Sequence, residues 1–160
     1  MRVLLLSPYG GHLANTIRDH GDQIISGGNL VDPEQWPEVD FIVMFGHRRL
    51  IKDPILSKYK GRIINIHGSL LPWNRGAYPN LFSWVERTPK GATLHHVNGG
   101  IDTGRIIVRQ TIDFSRAPST TLASSYSAIK FECEALFARS WKQIRDGIEG
   151  MEQQTKLGSH

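Results

Sequence analysis

Two short, uninterrupted apolar runs constrain this chain more than any other feature. Residues 2–7 contain Val3-Leu4-Leu5-Leu6 and stop at Pro8, with Gly10-Gly11 just beyond; residues 40–45 read Asp-Phe-Ile-Val-Met-Phe. Neither run alternates apolar with polar positions, so each must be covered on both sides. That is the pattern of parallel strands inside a sheet with both faces packed. Parallel neighbours cannot be joined by a tight turn, so crossover segments must lie between them.

The rest of the chain supplies those segments. Residues 12–20 suit a short helix, residues 54–59 a second with Pro54 in its first turn, and residues 80–86 a third after Pro79. Residues 23–26, 61–67, 92–97 and 105–112 read as further strands, the last alternating enough to be half exposed. Residues 27–38 are rich in Gly, Pro, Asp and Asn and read as loop. Leu122, Tyr126, Ile129, Cys133, Leu136, Phe137, Trp141, Ile144 and Ile148 recur at helical spacing. Ser119, Thr120 and Thr121 offer caps after Pro118, and Gly147 and Gly150 punctuate the end. These positions predict one long amphipathic helix with its apolar stripe on the sheet. Strands alternating with helices give an α/β fold, a mostly parallel sheet flanked by helices and joined by right-handed crossovers.

At 160 residues the chain accommodates one such domain with a proper core. Its expected extent is residues 1–150. Residues 151–160 form a polar, weakly patterned tail, whose final Gly158-Ser159-His160 reads as an appended remnant or the start of a further segment. No run approaches the ~18 apolar residues of a membrane span, and residues 1–7 read better as a first buried strand than as a signal peptide. The single cysteine, Cys133, precludes an internal disulfide, sits on the apolar helix stripe as a packing residue, and makes the cytoplasm the default location. A net charge of +4 favours anionic partners at long range. No cluster of five or more Lys and Arg residues occurs, which argues against nucleic acid.

The chemistry concentrates beyond strand ends, where open α/β sheets bind ligands. Asn65 and His67 are two apart at the end of a strand, so their side chains share a face. A loop with Ser69, Asn74 and Arg75 follows. Later, Thr93-Leu94-His95-His96-Val97 leads into Asn98-Gly99-Gly100-Ile101-Asp102-Thr103-Gly104, a glycine-rich turn holding one acid. His95 and His96 point to opposite faces of their strand, so at most one serves a site. An amide, an imidazole and a carboxylate suit acyl-type transfer to nitrogen. The amide donates to a developing oxyanion, the imidazole handles the proton, and the carboxylate orients the imidazole. No Ser or Cys stands as an obvious nucleophile, so direct attack by a bound amine is the simpler route. The residues alone leave the acyl donor open.

Three motifs in order narrow it. Asn65-Ile66-His67-Gly68-Ser69-Leu70-Leu71-Pro72-Trp73-Asn74-Arg75-Gly76, then Gly91-Ala92-Thr93-Leu94-His95, then Ile101-Asp102-Thr103-Gly104 resemble the formyltransferase family. That family includes phosphoribosylglycinamide formyltransferase, the catalytic domain of methionyl-tRNA formyltransferase, and sugar-nucleotide N-formyltransferases. The likeness runs from about residue 40 to residue 111. It implies a Rossmann-like fold, 10-formyltetrahydrofolate as donor, and Asn65, His67 and Asp102 as the catalytic set. It implies a pterin pocket from Phe45, Gly46, His47 and Leu50 on one side and Val97, Gly100 and Ile101 on the other, with His95 lining the same site.

Departures from the family pattern bear on the acceptor. The phosphate loop of members that use glycinamide ribonucleotide survives only as a loose echo in residues 8–15, where Gly10 and Gly11 are the candidates for substrate contact. Gly68 stands where the family commonly has proline, and the chain has no room for the second domain of the tRNA enzymes. Residues 73–80 look more like small formyltransferases of surface-sugar synthesis. An anionic amino-sugar nucleotide is therefore the first acceptor expected, touching Ser69 and Arg75; the alternative for Arg75, equally weighted, is to pin its own loop. Trp73 and Tyr78 are expected to pack, and His47, Arg48 and Arg49 to form a solvated loop.

Rival readings are a metal-dependent hydrolase using His67, His95, His96 and Asp102, a folate-binding module without turnover, and a 10-formyltetrahydrofolate hydrolase. No metal is expected, since no His-x-x-x-His or Cys-x-x-Cys spacing occurs.

Overall fold

The computed structural model describes residues 1–27, 35–117, 119–154 and 158–159. Most of the loop expected over 27–38 therefore lies outside the described residues, as do Pro118 and His160. The elements are β1 (Arg2–Leu6), α1 (Gly11–Asp19), β2 (Gln23–Ser26), β3 (Phe41–Phe45), α2 (Ile55–Lys58), β4 (Ile63–His67), α3 (Pro79–Val85), β5 (Gly91–His96), β6 (Ile106–Thr111) and α4 (Leu122–Arg145). Every element expected from the sequence is present, with ends shifted by a residue or two, or by three at the end of the last helix.

The strands form one sheet in the order β2-β1-β3-β4-β5-β6. The first four run parallel, whereas β5 is antiparallel to β4 and β6 antiparallel to β5. The two apolar runs are β1 and β3, which sit side by side within the sheet and are buried almost throughout. Strand alternation then divides the core in two. Val3, Leu5, Phe41, Val43, Ile64, Ile66, Ala92 and Leu94 pack with Leu13 and Ile17 of α1 and with the inner face of α4. Leu4, Leu6, Ile42, Met44 and Ile63 pack on the other side with Ile51 and Tyr59.

Helix α4 starts at a reciprocal cap. The Thr121 hydroxyl accepts from the Ser124 amide at 3.1 Å, and the Ser124 hydroxyl accepts from the Thr121 amide at 2.9 Å. Ile129, Cys133, Leu136, Phe137, Trp141 and Ile144 form the buried stripe. Three positions expected on it are not buried. Leu122 and Tyr126 are exposed in the first turns, and Tyr126 turns its hydroxyl to that of Tyr9, 2.8 Å away. Ile148 falls beyond the helix, because Gly147 takes a left-handed conformation at φ +92° and stops it. The buried Asp22 carboxylate ties the helix end to the first strands. It accepts from the N-terminal ammonium at 2.9 Å and the Trp141 indole at 3.1 Å and forms an ion pair with the Arg145 guanidinium at 3.1 Å, so the buried charge is well partnered. Cys133 lies fully buried with its thiol against the His67 carbonyl oxygen, 3.7 Å away, and burial pushes its pKa far up. Among the described residues no helix is long and apolar enough to cross a membrane.

Candidate active site

The polar face of β4 and β5 builds the site. Asn65 pairs directly with His95 across the antiparallel ladder, and His67 with Thr93, so all four side chains emerge on the face opposite α4. Residues 68–76 fold back over this face. The Thr93 hydroxyl donates to the Ser69 carbonyl at 2.7 Å and accepts from the Leu71 amide at 3.1 Å. Asp102 arrives from the turn after β5. It holds φ +50°, a left-handed conformation in which Asp is among the few tolerated side chains. Gly104 keeps the base of that turn tight, since a Cβ there would meet the His96 carbonyl oxygen at 1.7 Å.

Asn65, His67 and Asp102, distant in the chain, therefore converge, and His95 joins them. The Asn65 amide nitrogen donates to Asp102 Oδ1 at 3.0 Å and lies 3.3 Å from His95 Nε2. Asp102 Oδ1 is 3.3 Å from His95 Nε2, Asp102 Oδ2 is 3.5 Å from His67 Nδ1, and the Gly76 amide donates to Oδ2 at 2.9 Å. Neighbouring carbonyls settle the ring tautomers. His67 Nε2 is 2.9 Å from the Asn74 carbonyl oxygen, and His95 Nδ1 is 2.8 Å from the His96 carbonyl oxygen. A carbonyl only accepts, so His67 carries its hydrogen on Nε2 and His95 on Nδ1. His67 Nδ1 is then the free basic atom, and it faces the carboxylate.

Burial pushes the His67 pKa below 6.5; Asp102 and the Asn74 carbonyl pull it up and His95 pushes it down, but burial wins. His67 rests neutral and becomes a cation only by taking a proton beside Asp102. Burial alone would raise Asp102, yet the His95 ring, the His67 ring and the Gly76 amide beside it hold its carboxylate well below the usual range. The site thus pairs a neutral imidazole with a fixed anion.

The other expected contacts divide into two groups. Phe45 is buried against Tyr9, their ring centroids 5.1 Å apart, while Leu50 and Ile101 are exposed apolar side chains and Val97 is half-buried. Gly46 has φ +74° and passes so close to Tyr9 that a Cβ would lie 2.8 Å from its ring. Gly100 is exposed and its amide donates to Asn98 Oδ1 at 3.1 Å. Among the described residues His47 Nε2 is buried without a hydrogen-bond partner, and burial followed by Arg49 lowers its pKa. Gly10 caps α1 and Gly11 begins it.

Ser69 and Arg75 are both buried, the first bonded within its own loop and the second to the segment after α4. Ser69 is 1% exposed and donates to the Trp73 carbonyl at 2.7 Å. Arg75 is buried and points toward Gln153 and Gly158, its Nε 3.4 Å from Gln153 Oε1. Tyr78, expected to pack, is exposed and enters α3 from a left-handed φ of +54°. His96 faces away from the site toward the Ile148 carbonyl. Among the described residues no group of three or more His, Cys, Asp and Glu is arranged to hold a metal ion. The Asn74 carbonyl, the Gly76 amide and Gln153 belong to the site's framework; the first two lie within the first family motif, whereas nothing in its local sequence marks Gln153. Their roles come from backbone groups or from contacts across 51 residues.

With the geometry in place, comparison with known proteins is direct. Residues 29–139 match the model of the formyl transferase family. The chain is 41% identical over 89 residues to phosphoribosylglycinamide formyltransferase of Bacillus subtilis (strain 168), covering 52% of this chain and 44% of that protein. It is 36% identical over 101 residues to formyltetrahydrofolate deformylase of Corynebacterium sp. (strain P-1), covering 61% of this chain and 34% of that one. These matches span less than half the length of the curated relatives. Among solved structures, the formyltransferase PseJ from Anoxybacillus kamchatkensis, in complex with UDP-4,6-dideoxy-4-formamido-L-AltNAc and tetrahydrofolate, superposes with a TM-score of 0.92. It shares 37% sequence identity and is aligned over 99% of this chain and 84% of that one. The chain belongs to the formyl transferase family.

Proposed function

We propose that this protein transfers a formyl group from 10-formyltetrahydrofolate to the primary amine of an amino-sugar nucleotide. The convergence of Asn65, His67 and Asp102 on one side of β4 and β5 carries the reading. Likeness to a sugar-nucleotide formyltransferase over nearly the whole chain supports the acceptor class.

The residues present fit the donor. Leu50, Ile101 and Val97 offer apolar surface, and the Nε2 of His47, unpartnered among the described residues, offers one polar contact to a heterocycle. The donor supplies a formyl carbon bonded to N10. The acceptor amine adds to that carbon, the bond to N10 breaks, and the proton lost by the amine balances the one gained at N10. His67 Nδ1 takes the amine proton, and Asp102 stabilises the cation that results; general acid–base work of this kind is worth ~10²–10⁴ in rate. Asn65 donates to the oxygen that gains negative charge, worth ~10²–10³. Its two amide hydrogens face Asp102 and His95, so one must be redirected when that oxygen enters.

The test follows tetrahydrofolate release from 10-formyltetrahydrofolate while amines are offered in turn. The amino form of the PseJ ligand, UDP-4-amino-4,6-dideoxy-L-AltNAc, should support turnover, and glycinamide ribonucleotide should not. Equal formate release with no amine present would replace this reading with hydrolysis, the reaction named for the deformylase relative.

A further inference from the structure

We propose that Gln153 is a positioning residue for the reaction, holding the Asp102 turn in register with the loop that carries the partners of His67 and Asp102. The proposal rests on the reading of Asp102 as part of the formyl-transfer site. Gln153 uses all of its amide. Its Nε2 donates to the Asp102 carbonyl at 2.8 Å and to the Gly104 carbonyl at 2.7 Å, and its Oε1 accepts from Arg75 Nε at 3.4 Å. One side chain therefore joins the two loops that meet around the carboxylate. The first is the turn bearing Asp102; the second contains Asn74, whose carbonyl orients His67, and Gly76, whose amide binds Asp102 Oδ2.

The segment that presents Gln153 is itself anchored. Met151 exchanges both backbone hydrogen bonds with Ile106, at 2.7 and 2.8 Å, extending the ladder beside the start of β6. Gly150 lies so close to that strand that a Cβ would meet the Ile106 carbonyl at 2.8 Å. Further on, the Ser159 carbonyl accepts from the Arg75 amide at 2.9 Å, and the Ser159 hydroxyl accepts from the Asn74 amide at 3.1 Å. The need for such a tie lies in the backbone of Asp102. A left-handed conformation is disfavoured at a non-glycine residue and persists only where surrounding contacts over-determine it. The carboxylate is held on one side by Asn65 and Gly76, and the carbonyl on the other by Gln153. Without Gln153 the turn can relax, and Asp102 Oδ2 drifts from His67 Nδ1.

Gln153→Glu retains length and the contact to Arg75 but replaces both donated hydrogens with lone pairs. Expected for this variant is a fall in kcat of about tenfold or more, with KM for 10-formyltetrahydrofolate changed by less than about threefold. UDP-4-amino-4,6-dideoxy-L-AltNAc serves as acceptor. In protein without ligands, the Gly76 amide should exchange its hydrogen about tenfold faster than in the unaltered chain. Gln153→Met, which keeps volume without a charge, should behave alike. A kcat within about twofold of the unaltered enzyme in both variants, or unchanged exchange at Gly76, overturns the proposal. The exchange measurement needs no acceptor. Absence of formyl transfer in the unaltered protein would remove the functional reading and leave Gly76 to decide the position of the turn.

Discussion

The two faces of β4 and β5 are built from neighbouring residues and do opposite work. On one, Ile64, Ile66, Ala92 and Leu94 pack under α4 with almost no polar atoms between them. On the other, Asn65, His67, Thr93 and His95 alternate with them and make only directed contacts. The apolar face is held by area, tolerates small shifts, and gives most of the stability per residue. The polar face is held by hydrogen bonds whose loss strands a buried group, so it contributes little net stability but fixes atoms to within tenths of an ångström. A two-residue period thus lets one pair of strands serve as scaffold and as reaction site.

Substitutions that strike one face at a time test this division. The largest effect is expected from Asp102→Asn. Asn also tolerates the left-handed backbone, so the turn should fold. An amide cannot accept from both Asn65 and Gly76, and it cannot stabilise the His67 cation. Formyl-transfer kcat should fall by ~10²–10⁴, read as tetrahydrofolate release, with stability lowered by only about 1–3 kcal/mol. Ile66→Ala should invert the pattern. Urea unfolding should show a loss of about 2–5 kcal/mol for the cavity under α4, while kcat at low temperature stays within about threefold of the unaltered enzyme.

The smallest effect is a pH dependence. The folded pKa of His67 lies below its ordinary 6.5, so the unfolded chain takes up a proton first as pH falls. The contribution of His67 to stability is whole above about pH 6.5 and declines below it, with a slope of up to about 1.4 kcal/mol per pH unit, until the folded pKa is reached. The acid limb of kcat/KM should fall below pH 6.5 for the same reason, and His67→Gln should remove the stability slope. A limb centred above 6.5 would mean that the Asp102 charge outweighs burial.

Much of this division was legible in the sequence. The uninterrupted runs 3–6 and 41–45 announce strands covered on both sides, and Asn65-x-His67 announces a strand end whose far face turns polar. The motif order points to the family, which the comparisons establish. What stayed hidden was held by long-range or backbone contacts. Ser69 and Arg75 have the chemistry of ligand contacts, yet the loop folds them inward, a consequence of where Thr93 and Gln153 lie. Tyr126 has the spacing of a core residue, and only the position of the Tyr9 hydroxyl explains why it stays out. Gln153 stands in a stretch without periodicity, and its partners are 49 and more residues away.

The lone thiol turns the apolar face into its own stopwatch. Cys133 has no exposed surface, and its sulfur rests on the backbone oxygen of His67. A disulfide reagent in solution can reach it only when α4 lifts from the sheet, so the rate of labelling records that excursion and not the reactivity of a surface sulfhydryl. Because the same departure uncovers the end of β4, labelling and loss of activity should advance along one time course, without any dye or tag added to the chain.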